Sequence, residues 1–66
     1  MTSKKRFLYW LEVEFDDKSR KKMAIYKKGN NIYIDDHIQH PSARSTEDEI
    51  RIVFRGKVIR TITQWS

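Results

Sequence analysis

The sequence predicts an all-β domain: a small, strongly curled five-stranded antiparallel sheet or barrel, with one short helical turn near residues 46–49. Three observations carry that expectation. Apolar residues alternate strictly from Phe7 to Phe15, which is the period of a half-buried strand. A Gly29-Asn30 pair separates two runs rich in isoleucine and tyrosine, the signal of a tight hairpin. The chain has only 66 residues, and a domain of that size buries only about 60% of its unfolded surface. A flat sheet would leave the apolar face wet, whereas a curled sheet or barrel buries it against itself and removes the edges.

The elements follow in chain order. Residues 1–5 read as a tail before the first strand. Phe7, Tyr9, Leu11, Val13 and Phe15 form the expected core face of that strand, leaving Arg6, Leu8, Trp10, Glu12, Glu14 and Asp16 on the other side. The polar cluster Asp16-Asp17-Lys18-Ser19 ends it. A two-residue Gly29-Asn30 loop puts glycine where a type II′ turn needs it and sets Lys28 opposite Asn31, Tyr26 opposite Tyr33 and Ile25 opposite Ile34. A slip by one residue would break every apolar match. Met23, Ile25, Ile32 and Ile34 then face the core, and Lys22, Tyr26, Lys28, Asn31 and Tyr33 share the opposite face.

Residues 36–48 read as a long polar loop, within which Thr46 and Glu49 have the spacing of a capping box. Ile50, Ile52 and Phe54 alternate as a fourth strand, and residues 58–65 read as a fifth, joined through Gly56-Lys57 in a second hairpin whose register stays open. The whole, residues 1–66, is one domain of about a dozen large apolar side chains, SH3-like or OB-like in general shape. A homodimer burying two sheet faces together is the rival arrangement.

Composition narrows the function classes. No cysteine is present, so no disulfide, metal thiolate or thiol nucleophile is available, which fits a reducing compartment. The longest unbroken apolar run, residues 7–11, is far too short to span a membrane. Lys4-Lys5-Arg6 ahead of that run has the look of a signal peptide, but Glu12 and Glu14 follow at once without a cleavage site. The expectation is a soluble cytoplasmic protein.

Fourteen Lys and Arg against nine Asp and Glu give a net charge of +5, which favours polyanionic partners. The bases cluster at residues 18–28 and 51–60, and the acids at 12–17, 35–36 and 47–49. Aromatic faces stack on bases and lysines track phosphates, so the sequence points to single-stranded nucleic acid bound with little sequence preference. Trp10, Tyr26 and Tyr33 are the expected stacking surfaces, and Lys21, Lys22, Lys27, Lys28, Arg55 and Lys57 the phosphate contacts. The bland reading of Tyr26 and Tyr33 is a cross-strand pair that stabilises the hairpin by packing alone.

The alternative is a protein-binding accessory or inhibitory module that covers an acidic surface of a larger partner. Leu8 and Trp10 would be its apolar anchor and the lysines its steering charge. Trp65 would join that interface or fold back over it. A homo-oligomer burying Leu8 and Trp10 between copies is a third possibility.

Arg55-Gly56-Lys57-Val58-Ile59, preceded by apolar Ile52 to Phe54, resembles the second motif of the Sm/Lsm RNA-binding family. The resemblance implies Arg55 as a base contact and Gly56 as a tight turn. It is confined to this stretch, the family's first motif is not evident, and strand replaces the usual N-terminal helix, so it is a likeness of local shape.

Asp35, Asp36, His37 and His40 have the donors of a metal site. Pro41 disfavours the helix that would put both imidazoles on one face, and no metal or cofactor is expected. With no thiol, no glycine-rich phosphate loop and no serine nucleophile motif, the chain is not expected to be an enzyme.

Overall fold

The computed structural model describes residues 4–63. It contains β1 (Arg6–Phe15), β2 (Arg20–Lys28), β3 (Asn31–Ile34), β4 (His37–Ile38), α1 (Thr46–Glu49), a π-helical turn (Ile50–Phe54) and β5 (Gly56–Ile62). The five strands make one antiparallel sheet in the order β4-β3-β2-β1-β5.

The expected β content and five-stranded sheet are present, but the sheet neither closes nor curls strongly. With principal extents of 42 × 34 × 16 Å, the molecule is a slab. The reason lies in residues 46–54, expected to end in a strand. They are helical instead and bring Ile50, fully buried, and Phe54 into the core. A covering helix removes the need for the sheet to bury its apolar face against itself.

The hairpin of β2 and β3 has the expected register: Lys28 opposite Asn31, Tyr26 opposite Tyr33, Ile25 opposite Ile34. Gly29 has φ 61°, the positive value that the first central residue of a II′ turn requires. Asp35 closes the far end, donating its N–H to the Ala24 carbonyl (2.8 Å) and accepting the Ala24 N–H on Oδ1 (3.0 Å).

β1 departs from strict alternation. Its register against β2 shifts between Phe7 and Tyr9, so Leu8 is an extra residue bulged out of the ladder. Phe7 pairs with Tyr26 and turns to the outer face, while Leu8 and Tyr9 both pack against the core. Leu8, expected outward beside Trp10, is therefore an inward residue.

The hairpin expected of residues 50–54 with the last strand does not form. The Ser45 hydroxyl, one residue before the expected capping box, accepts the Asp48 N–H at 3.1 Å and starts α1. Glu47, Asp48 and Glu49 in the first turn suit the helix dipole. The turn ends at Arg55, in the left-handed conformation (φ 59°), whose N–H bonds to the Ile50 carbonyl. β5 then pairs with β1, with its own bulge between Val58 and Arg60. Ile52, expected in the core, is 57% exposed, and Val53 beside it 48%.

Gly56 is fixed by crowding. A Cβ there would lie 2.3 Å from Cγ1 of Val13 and 3.2 Å from the Phe15 ring. The core is one layer: Leu11, Val13, Met23, Ile25, Ile34 and Ile50, flanked by Leu8, Tyr9, Phe15, Ile32, Phe54 and Val58. The polar loop is more structured than expected, since it holds β4, a turn at residues 40–43 and the start of α1.

Candidate nucleic-acid interface

The helix and core occupy one face of the sheet; among the described residues no helix or strand covers the other. Cross-strand pairing lays that outer face out in rows. The first runs Phe7, Tyr26, Tyr33, Ile38 across four strands. The second runs Ile62, Trp10, Ala24. The third is Arg60, Glu12, Lys22 and the fourth Lys57, Glu14, Arg20. One end of the face is thus apolar and aromatic, and the other is ionic.

The rings touch. Phe7 lies 5.4 Å from Trp10 and 5.8 Å from Tyr26, centroid to centroid, in tilted and edge-on arrangements. Trp10, Tyr26 and Tyr33 are all half-buried, so each keeps some surface in water. The Lys5 ammonium stands over Tyr33 at 4.7 Å and over Tyr26 at 5.6 Å, within cation–π range.

The acids on this face are not isolated. Glu12 pairs with Arg60 at 3.2 Å and Glu14 with Arg20 at 3.4 Å. Arg6, Lys22, Lys27 and Lys28 engage in no ion pair among the described residues; Lys22 and Lys28 share the face of the rings, while the cross-strand pair Arg6 and Lys27 alternates to the other side. Lys28 continues the outward alternation of Tyr26 at the hairpin tip, and Lys22 stands opposite Glu12.

Other expected contacts fall elsewhere. Lys21 is held by Asp35 at 3.5 Å. Lys27 is paired with Ile32, on the core-side alternation, although its side chain is exposed. Arg55 and Lys57 sit at the opposite end of the strands from Lys28, about 25 Å away at the rise of a strand. They share the surface around Arg51 and Gly56 with Glu14 and Asp16. Because residues 50–54 are helical, the strand that the Sm/Lsm likeness requires before Arg55 is not there. Trp65 lies outside the described residues.

The candidate metal donors are otherwise engaged. His37 Nε2 meets Glu49 Oε2 at 2.6 Å, and its ring packs edge-on against Phe54, 5.2 Å away. His40 Nδ1 accepts the Ser42 N–H at 3.1 Å, and Asp35 caps Ala24. Among the described residues no three His, Cys, Asp or Glu gather as a ligand set. Glu49, only 3% exposed, has its carboxyl held below the ordinary value. The His37 hydrogen bond does this against the opposing effect of burial, and the His40 backbone N–H helps.

Sequence reasoning missed Phe7 and Lys5. The signal for Phe7 was the phase conflict at Leu8 and Trp10, two apolar residues on a supposedly wet face, which a bulge resolves. It also missed a groove of about 550 Å³ lined by Ile38, Pro41, Ala43, Ile52 and Val53, with Glu49 among its walls. No described helix is long and apolar enough to cross a membrane. Comparison with family models, curated proteins and solved structures returns no match.

Proposed function

We propose that the outer face of the sheet binds single-stranded nucleic acid with little sequence preference. The observation that carries this reading is the cluster of Phe7, Trp10, Tyr26 and Tyr33 on one sheet face, with Lys22 and Lys28 on the same face. Aromatic residues on an open sheet give bases a platform, and cations beside them meet the phosphates. Ring stacking accepts any base, so weak sequence preference follows. Arg55 and Lys57 would serve only a strand long enough to cross the ionic rows.

Fluorescence anisotropy of labelled single-stranded and duplex oligonucleotides tests the reading. Single strands should bind more tightly, with affinity falling as salt rises by ~0.7 log units per log unit of salt for each phosphate contacted. Tyr26→Ala with Tyr33→Ala should remain folded and lose about 1–3 kcal/mol per stacked base. Undiminished affinity in that folded double variant would sink the stacking role.

A second reading is favoured by one observation. Trp10 lies beside Phe7, Ala24 and Ile62 in a continuous apolar patch, as in the anchor of a protein interface. In that case the partner presents an acidic surface and Phe7 takes the anchoring place first expected of Leu8. Trp10→Ala would then abolish capture of the partner while nucleic-acid affinity is negligible from the start.

A further inference from the structure

Lys5 precedes β1 and bends back over the first row of the outer face. Its ammonium is enclosed by two ring faces, Tyr33 and Tyr26, and by Asp36 Oδ1 at 3.7 Å. Its side chain remains 36% exposed, and Asp36 is fully exposed. These contacts hold the ammonium in a defined place and keep a way out to solvent.

That place matters for the tyrosines. A base stacked on an aromatic ring lies about 3.5–4 Å above it, in ordinary van der Waals contact. An ammonium 4.7 Å from the Tyr33 centroid stands in the same volume. The base and the ammonium cannot share that face. A stacked nucleotide also brings its own phosphate, a better partner for an ammonium than a ring or a solvated carboxylate.

We infer that Lys5 is a binding residue of this interface that changes partners. Its ammonium leaves Tyr33, Tyr26 and Asp36 and takes the phosphate of the nucleotide whose base stacks on Tyr33. The inference rests on the nucleic-acid reading of this face. It gives Lys5 two opposing effects: competition with the base in the free protein, and attraction to the phosphate in the complex. Only the second is strongly weakened by salt.

The test compares the full chain with Lys5→Met, which keeps the aliphatic stem and removes the charge. Binding of oligothymidylate is followed by anisotropy over a range of salt. The variant's log–log salt slope should be smaller by ~0.7, the share of one phosphate on a single strand, so that the two lines converge as salt rises. In parallel, the ε-methylene protons of Lys5 in the free wild-type protein should be shifted upfield by the ring currents. They should return to ordinary positions when oligothymidylate saturates the protein. An unchanged slope overturns the inference, and so does an upfield shift that persists at saturation. If wild type binds, with Tyr33→Ala weaker, and either result appears, only the role of Lys5 falls. If wild type binds no single strand at low salt, the reading of the face falls with it.

Discussion

Gly29 and Gly56 are the two glycines of the chain, and they are constrained for opposite reasons. Gly29 has the positive φ of a turn and no atom within 4 Å of a would-be Cβ, so Gly29→Ala meets only backbone strain, about 1–2 kcal/mol. At Gly56 the added carbon collides with Val13 in the fully buried core. Gly56→Ala should cost at least as much through overpacking, about 1–3 kcal/mol, and should also loosen the pairing of β5 with β1. Urea denaturation of both variants checks this, and a neutral Gly56→Ala would mean that β1 and β5 lie farther apart. Glu49 gives a pH dependence of definite sign. Its carboxyl titrates below its ordinary value in the folded chain, so it contributes stability that is fully present above the unfolded value. That contribution is lost as pH falls through the folded one. Acid titration of unfolding stability should therefore show a step in wild type that Glu49→Gln lacks. His37→Ala, which removes the principal donor to a buried carboxylate, should cost about 2 kcal/mol at neutral pH.

At the scale of elements, the β2–β3 hairpin was legible because two independent signals agreed. The turn residues fix a two-residue loop, and only one register matches Ile25 with Ile34. β1 was legible in extent but not in phase. Alternation predicted its core residues from Tyr9 onward, while the bulge at Leu8 follows from the packing of β1 on β2 and from no residue type of its own. Residues 50–54 were misread because Ile-Arg-Ile-Val-Phe fits two periods. Ile50 and Phe54 are four apart, as a helix needs, and Ile50, Ile52 and Phe54 alternate, as a strand needs. The arbiter is Ser45, whose hydroxyl nucleates α1. Ser45→Ala should cost about 1 kcal/mol, read by denaturant unfolding, with the helical part of the far-ultraviolet circular dichroism fraying first. The candidate site was half legible. Tyr26 and Tyr33 follow from the hairpin, whereas Arg55 and Lys57 were grouped with them only because distance across a sheet cannot be seen in a linear chain.

Taken whole, the molecule is a single sheet with helix on one side and rings and charges on the other. β2 is the central strand, and the long β1 beside it is paired with both β2 and β5, while the two-residue β4 and the outer side of β5 are the edges. Hydrogen exchange should follow this order. Amides of β1 and β2 near Leu11, Val13 and Met23 should be slowest, and those of β4 and the unpaired side of β5 fastest. Equal protection across all five strands would point instead to edges that are covered, as in a closed sheet or an oligomer. The same architecture explains why 66 residues suffice without disulfides. A short helical cap closes the apolar face, and among the described residues no helix or strand lies on the other.

The bulge at Leu8 makes β1 behave like a text with one extra letter. Removing Leu8 would leave Phe7 and Trp10 two residues apart, so both would still point outward, and Tyr9, Leu11, Val13 and Phe15 would keep their inward phase. The loss would be confined to the contacts of one half-buried side chain. Removing any single residue between Leu11 and Glu14 instead would put everything on one side of the gap out of frame, sending core residues into water or aromatics into the core. The chain therefore has one position in its first strand where length can change without changing meaning, next to the aromatic residues that we assign to binding.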